Sequence, residues 1–437
     1  MSGPKVVRIV TREEILDICR GMLARVDAAL AEWERIGARN ECVDDAAVDA
    51  ARARRDALAA LIAADRFMEL QKQAPIEEAF LRDDVQVRLR RVAAAQAAAR
   101  SRSRREREAA ASLLTTLRAS GAPLDPVLER ALERGDGESL AAGFAALATR
   151  SAAPRGSRDL AKRLKEEGSQ TPFADWLASQ PAEDTDPAAA RIEARIAELA
   201  PLVDGPASAG WSARLEEALV AEPARRALLL DGLDVATGRA LTEARRRAAT
   251  MTELALQLAE LEAAGLETRA LRTGIDDLDA KALADRTEAA RSSIDAQRRE
   301  RAAAARRSAV LEGLTGLGYE VTEGMETSWS QEGRLVVRSA ARPDYGVEVA
   351  AVGERMQMRP VAFETAGAGL DAARDRDAET IWCGDVSALQ RALGDEGGCL
   401  IIDKALPVGA TPIKRIAVER PNGGSADVPV LKSRTLR

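Results

Sequence analysis

Between Ile15 and Ile36 the apolar residues return at alternating steps of four and three: Ile15, Cys19, Met22, Val26, Ala29, Trp33 and Ile36. That spacing places all of them on one seam of a helix and leaves Glu13, Arg20, Arg25, Glu34 and Arg35 off it, a coiled-coil pattern over about three heptads. Thr11 and Glu14 stand just before the seam as a capping box, in which the hydroxyl accepts the N3 amide and the carboxylate reaches back to the cap amide. A helix is predicted to begin there. The apolar run Lys5 to Val10 ahead of it reads as a strand.

Gly37 and Asn40 end this helix. A second is predicted from near Asp44 through Val48, Ala51, Leu58, Ile62 and Met68 to Pro75, folded back as an antiparallel hairpin. A third runs from Ile76 through Phe80, Val87 and Ala94 and the arginine-rich stretch 88–107 to Leu113, Leu114 and Leu117. Its seam is mostly alanine, which permits close helix approach with little buried area. Prolines and glycines crowd 121–190, so short helices and loops are expected there, with Phe173, Trp176 and Leu177 as a small apolar anchor. A second arm starts near Asp186 and resumes after Pro201, Pro206 and Pro223. Its clearest seam is Leu241, Ala244, Ala248, Met251, Ala255, Leu258 and Glu262. A last helix spans Lys281 through Ile294 to Leu317.

The pattern changes at Gly318. Short, partly alternating segments at Tyr319 to Met325, Arg334 to Ala341, Gly346 to Val352 and Arg355 to Phe363 have links too short for anything but antiparallel strands. A helix with Trp382, Val386, Leu389 and Leu393 follows, then apolar runs at Cys399 to Ile402 and Ile413 to Val418. The predicted fold class is mainly α: long antiparallel helical, coiled-coil hairpins followed by a small C-terminal α+β module with an antiparallel sheet. The expected units are a helical arm at 1–120, short helices and loops at 121–190, a second arm at 191–317, the module at 318–419 and a flexible tail at 420–437.

Composition narrows the chemistry. The chain has 437 residues with no histidine, which removes the usual base of hydrolytic triads and the commonest nitrogen ligand for zinc. Its four cysteines show no C-x-x-C spacing, which fits a reducing compartment. Charged residues reach 31% but nearly cancel, to a net −6, so neither a strongly basic nor an acidic-tail protein is indicated. Met1 to Val10 lacks a signal core and no run is long enough for a membrane span. A cytoplasmic protein without a membrane partner is expected.

No phosphate-binding loop is present, and Gly367, Ala368 and Gly369 lack the rest of a dinucleotide loop. Asp371, Asp375 and Glu379 share one helix face, which is read as solvated and dipole-matched rather than as a metal site. Cys383 lacks the histidine that a nucleophile would need. Neither a cofactor, a metal nor a catalytic residue is predicted. Arg88, Arg91, Arg100, Arg102, Arg104, Arg105 and Arg107 form a local cationic stretch that reads either as a phosphate-contacting helix or as a solvated face. Trp382 is read as a core anchor or a partner contact, and Val428, Val430 and Leu431 in the tail as partner contacts. The expected function is a non-enzymatic scaffold or adaptor subunit of a bacterial multi-protein assembly that binds a protein partner through the C-terminal module, with homo-oligomers through the helical seams an open option. The alternative is a nucleic-acid-associated accessory subunit, in genome maintenance or anti-phage defence, working through the arginine helix.

Overall fold

A computed structural model describes residues 4–120, 123–135, 137–150, 186–203, 205–352, 354–364 and 371–417. Thr11 joins strand β1 (Lys5–Val10) to helix α1 (Arg12–Arg39), and its hydroxyl accepts the Glu14 amide at 3.2 Å, while the Glu14 carboxylate, expected to reach back to the cap amide, instead accepts from Arg306 at 2.6 and 3.1 Å. The predicted seam is the buried side of α1: Cys19, Val26, Ala29 and Trp33 are closed to solvent, with Ile15, Met22 and Ile36 packed beside them. The Asn40 side chain closes α1 by donating to the Ile36 carbonyl at 2.9 Å, and Asp44 caps α2 (Asp45–Ala63). Ion pairs from Arg52 to Glu34 and from Arg55 to Asp27 align α2 antiparallel to α1.

The next break differs from the prediction. The chain turns at Asp65, where φ is +55°, and α3 (Phe67–Ala119) then runs on with Pro75 inside it. Proline removes one N–H and orphans the Gln71 carbonyl. Pro75 lies on the exposed side of α3, where water can reach that carbonyl, so the helix tolerates it. With 53 residues α3 is about 80 Å long. Helices α4 (Pro126–Glu133) and α5 (Gly137–Arg150) close over its end around Leu113, Leu117, Leu132 and Leu140. The expected anchor of Phe173, Trp176 and Leu177 lies outside the described residues.

The second arm comprises α6 (Pro187–Leu199), α7 (Gly205–Val220) and α8 (Pro223–Ala263), followed by the short α9 (Arg269–Arg272) and by α10 (Ala280–Gly316). The single seam predicted for α8 does not hold near its end, where Ala255 and Glu262 are exposed. There α8 is buried on two sides. Leu254, Leu258 and Leu261 pack on Leu283, Ala290 and Ile294 of α10, while Leu256 enters the α1 core. Gly21 of α1 admits the close approach, because a Cβ there would lie 3.0 Å from Glu260 Oε1. Arg25 of α1 binds the Glu78 carboxylate of α3 through two nitrogens at 2.9 Å and reaches Glu253 of α8 at 3.3 Å. Arg298 of α10 pairs with Glu260. Four helices are thus registered at one partly buried ionic junction, where an unpaired charge would be costly.

Gly318 opens the sheet region: β2 (Tyr319–Glu320), α11 (Met325–Glu332), β3 (Arg334–Ser339), β4 (Tyr345–Val352), β5 (Arg355–Glu364), α12 (Ala372–Asp395), β6 (Cys399–Ala405) and β7 (Lys414–Ala417). The first predicted strand survives only at Tyr319–Glu320. Met325 instead starts α11, whose one buried residue, Trp329, gave no period to read. The strand order is β2-β3-β4-β5-β1-β6, all antiparallel, with β7 parallel to the second half of β5. The N-terminal strand is therefore interior to the sheet: Val7 opposes Met356 on one side and Ile402 on the other. One sheet face packs on helices through a core of Val7, Ile9, Val347, Val349 and Met358 against Leu314 of α10, Trp329 of α11, and Trp382, Val386 and Leu389 of α12.

Candidate functional site

Antiparallel strands alternate their side chains between two faces, and the register assigns the other face of this sheet. It carries Arg334, Val336 and Arg338 of β3, Glu348 and Ala350 of β4, Arg355, Gln357, Arg359 and Phe363 of β5, Val6 and Arg8 of β1, and Lys404 and Ile401 of β6. No described helix packs on this side; the core clusters with helices use the opposite residues. Half-buried valines and alanine lie between the cations, so the surface is apolar ground studded with charge.

Two carboxylates organise the cations. Asp403, beside the register shift at Val6 and Val7, accepts from Arg8 Nε at 3.2 Å through one oxygen and from Arg355 Nε at 2.9 Å through the other. Glu348 is 3% exposed, covered by Arg359, which pairs with one oxygen, and by Lys414, whose Nζ lies 2.7 Å from the other. Burial works against the ionised Glu348, but hydrogen bonds from Arg359 and then Lys414 outweigh it and hold its pKa below the ordinary value. Each carboxylate thus serves two cations, and one positive charge is left over at each. Arg8, Arg355 and Arg359 are held by Nε, and their terminal nitrogens donate to no group among the described residues. Arg338 lies over the Phe363 ring at 4.5 Å. Gly346 leaves room for that ring, since a Cβ would stand 2.9 Å from Phe363 Cε2 and 2.3 Å from the Val337 carbonyl.

The sheet also has an open edge. Among the described residues β6 pairs with β1 alone, and Ile401 and Ile402 are 46% and 41% exposed. The Gln390 side chain covers the Leu400 carbonyl at 2.9 Å; beyond it, through Ala405, the outer side of β6 meets no strand among the described residues.

The arginine helix does not form one face. Arg88 is spent on Asp84 at 2.6 Å and the Cys42 carbonyl at 2.8 Å, above Trp33. Arg104 grips Glu193 of α6 through two bonds at 3.1 and 3.0 Å. Both tie α3 to its neighbours. Arg105 is partly buried with an unpartnered Nε, whereas Arg91, Arg100, Arg102 and Arg107 are exposed. At 100° per residue Arg100, Arg104 and Arg107 share one side of α3, and Arg91, Arg102 and Arg105 another.

Trp382 is 1% exposed, edge-on to Tyr319 at 6.3 Å, so it anchors α12 and is closed to any partner. The acidic trio is divided among separate tasks. Asp371 caps α12, Asp375 accepts from Tyr345 Oη at 2.9 Å and pairs with Arg415 at 2.6 Å, and Glu379 accepts the Gly409 amide at 2.5 Å. Among the described residues no group of three His, Cys, Asp or Glu side chains is placed to hold a metal ion. Lys5 Nζ meets Cys383 Sγ at 3.3 Å and so ties β1 to α12. Val428, Val430 and Leu431 lie outside the described residues. No described helix is long and apolar enough to cross a membrane. The cations of the open face escaped the sequence reading because they come from separate strands, and only the register assembles them.

Comparison with family models, with curated proteins and with solved structures finds no match to this chain.

Proposed function

We propose that the protein is a non-enzymatic adaptor of the cytoplasm, in which the helical arms set the position of the sheet and the sheet receives a protein partner by strand addition along β6. The open edge of β6 with its two exposed isoleucines carries this reading. An edge strand offers N–H and C=O groups to an extended segment, and flanking side chains select which segment adds. The charges of Asp403 and Lys404 and the neighbouring bulge are devices that restrain indiscriminate pairing, as expected of an edge kept for a chosen partner. The continuity of β1 with α1, and the entry of α10 into the sheet core, support transmission of arm position to the sheet.

The test is site-specific photocrosslinking from position 401 in the native host, with and without the substitution Ile402→Pro. The expected outcome is one crosslinked polypeptide attached through an extended segment and lost in Ile402→Pro, because proline removes the edge donor. Crosslinks that survive the proline, or a partner attached only at the helical arms, would overturn the assignment to β6. The alternative, a nucleic-acid accessory subunit working through α3, loses two of its arginines to internal pairs; the open sheet face supports contact with nucleic acid better.

A further inference from the structure

We propose that the open face of the sheet binds single-stranded nucleic acid, on a surface that adjoins the β6 edge proposed for the protein partner and shares Ile401 and Lys404 with it. The face presents seven cations, Arg8, Arg334, Arg338, Arg355, Arg359, Lys404 and Lys414, against three anions, Glu320, Glu348 and Asp403. This excess stands on a chain whose net charge is −6, so it is a local concentration and not a reflection of composition. A polyanion is the partner that such a surface complements.

The residue types choose among polyanions. Most of the cations are arginine, whose planar fork matches phosphate oxygens. Arg8, Arg355 and Arg359 are already oriented through Nε by Asp403 and Glu348, which leaves their terminal nitrogens available in a fixed direction. Between them lie half-buried Val6, Val336, Ala350 and Phe363 and exposed Ile401. A duplex shows its phosphates and hides its base faces, so these apolar residues would be left against charge. A single strand offers phosphates to the arginines and unstacked bases to the apolar ground and to the plane of the Arg338 guanidinium, which already lies over the Phe363 ring. An acidic peptide would satisfy the cations but gain nothing from the ring and its stacked Arg338.

Arg334, Arg338 and Lys404 make no ion pair among the described residues, so the triple variant Arg334→Ser, Arg338→Ser, Lys404→Ser removes charge without breaking an ion pair and gives up only the stack of Arg338 on Phe363. The full chain is titrated against a fluorescein-labelled mixed-sequence single strand of about 20 nucleotides over a salt series. The parent should bind at about 0.15 M salt, and the variant should bind at least about tenfold more weakly, with a salt slope shallower by up to about 2, at roughly 0.7 for each phosphate no longer neutralised. The charge-preserving variant Arg334→Lys, Arg338→Lys, Lys404→Arg should retain binding, and helical circular dichroism should match in all three. Equal binding by the serine variant would overturn the proposal, as would absence of binding by the parent. Equal or tighter binding of the matching duplex or of a polyglutamate peptide would overturn the choice of a single strand. An Ile402→Pro chain that loses its protein partner yet keeps the oligonucleotide separates this surface from the edge.

Discussion

Trp382 fills the space between α12 and the sheet, and replacing it by alanine leaves a large cavity in that core. Trp382→Ala should lower stability by about 3 to 5 kcal/mol, read by urea unfolding. Glu348 gives a prediction with a definite sign. Its folded pKa is depressed, so its ionised pairs stabilise the fold above the ordinary carboxylate range, and that stability is lost as pH falls through the folded pKa. The melting-temperature gap between the parent and Glu348→Gln should therefore be widest near neutral pH and close on acidification; a gap that is constant with pH would contradict the assignment. Glu260 is opposite in sign, because burial raises its pKa despite Arg298 and Arg25. Its contribution is present below the ordinary value and falls as pH rises through the raised one. The role of Trp382 could be read from its spacing with Val386, Leu389 and Leu393. The separation of Arg88 and Arg104 from their exposed neighbours could not, since the Glu193 that claims Arg104 is 89 positions away.

Among the elements, α1 was legible because start, seam and stop agree locally at Thr11, Val26 and Asn40, although only the Thr11 half of the capping box forms, since Arg306, 292 positions away, draws off the Glu14 carboxylate. Val26→Asp would bury an unpartnered carboxylate at a fully closed position, and should cost about 3 kcal/mol or more in chemical unfolding. Pro75 misled because a proline signals a break only where the freed carbonyl cannot be hydrated. Pro75→Ala restores an N–H toward Gln71 in an exposed turn of α3 and should raise stability by about 1 to 3 kcal/mol, measured by the same unfolding assay. Two elements were illegible for different reasons. α11 contributes one buried side chain and so carries no periodicity. The end of α8 is covered on two sides, so its leucines at 254, 256, 258 and 261 fit no single stripe.

At the scale of the whole molecule the arms and the sheet are one structure. Composition marked a boundary near Gly318, but strand pairing crosses it: β1 sits between β5 and β6, and no local signal can say where a distant strand inserts. A fragment spanning 308–437 lacks that strand and would have β5 and β6 unpaired on facing sides. It should show little ordered structure alone and gain a cooperative melt when a peptide covering residues 1–12 is added; a fragment equally ordered without the peptide would count against the insertion. The same insertion sets a schedule for synthesis. β1 leaves the ribosome before its partners, which lie about 350 to 400 positions downstream, so at roughly 5 to 20 residues per second it waits about 20 to 80 s for them. During that interval Val7 and Ile9 have no sheet to enter, while α1, α2 and α3 can already assemble from near neighbours. Closure of the sheet is then a late, high-contact-order step, and the nascent chain carries an uncovered strand until β5 and β6 have been made.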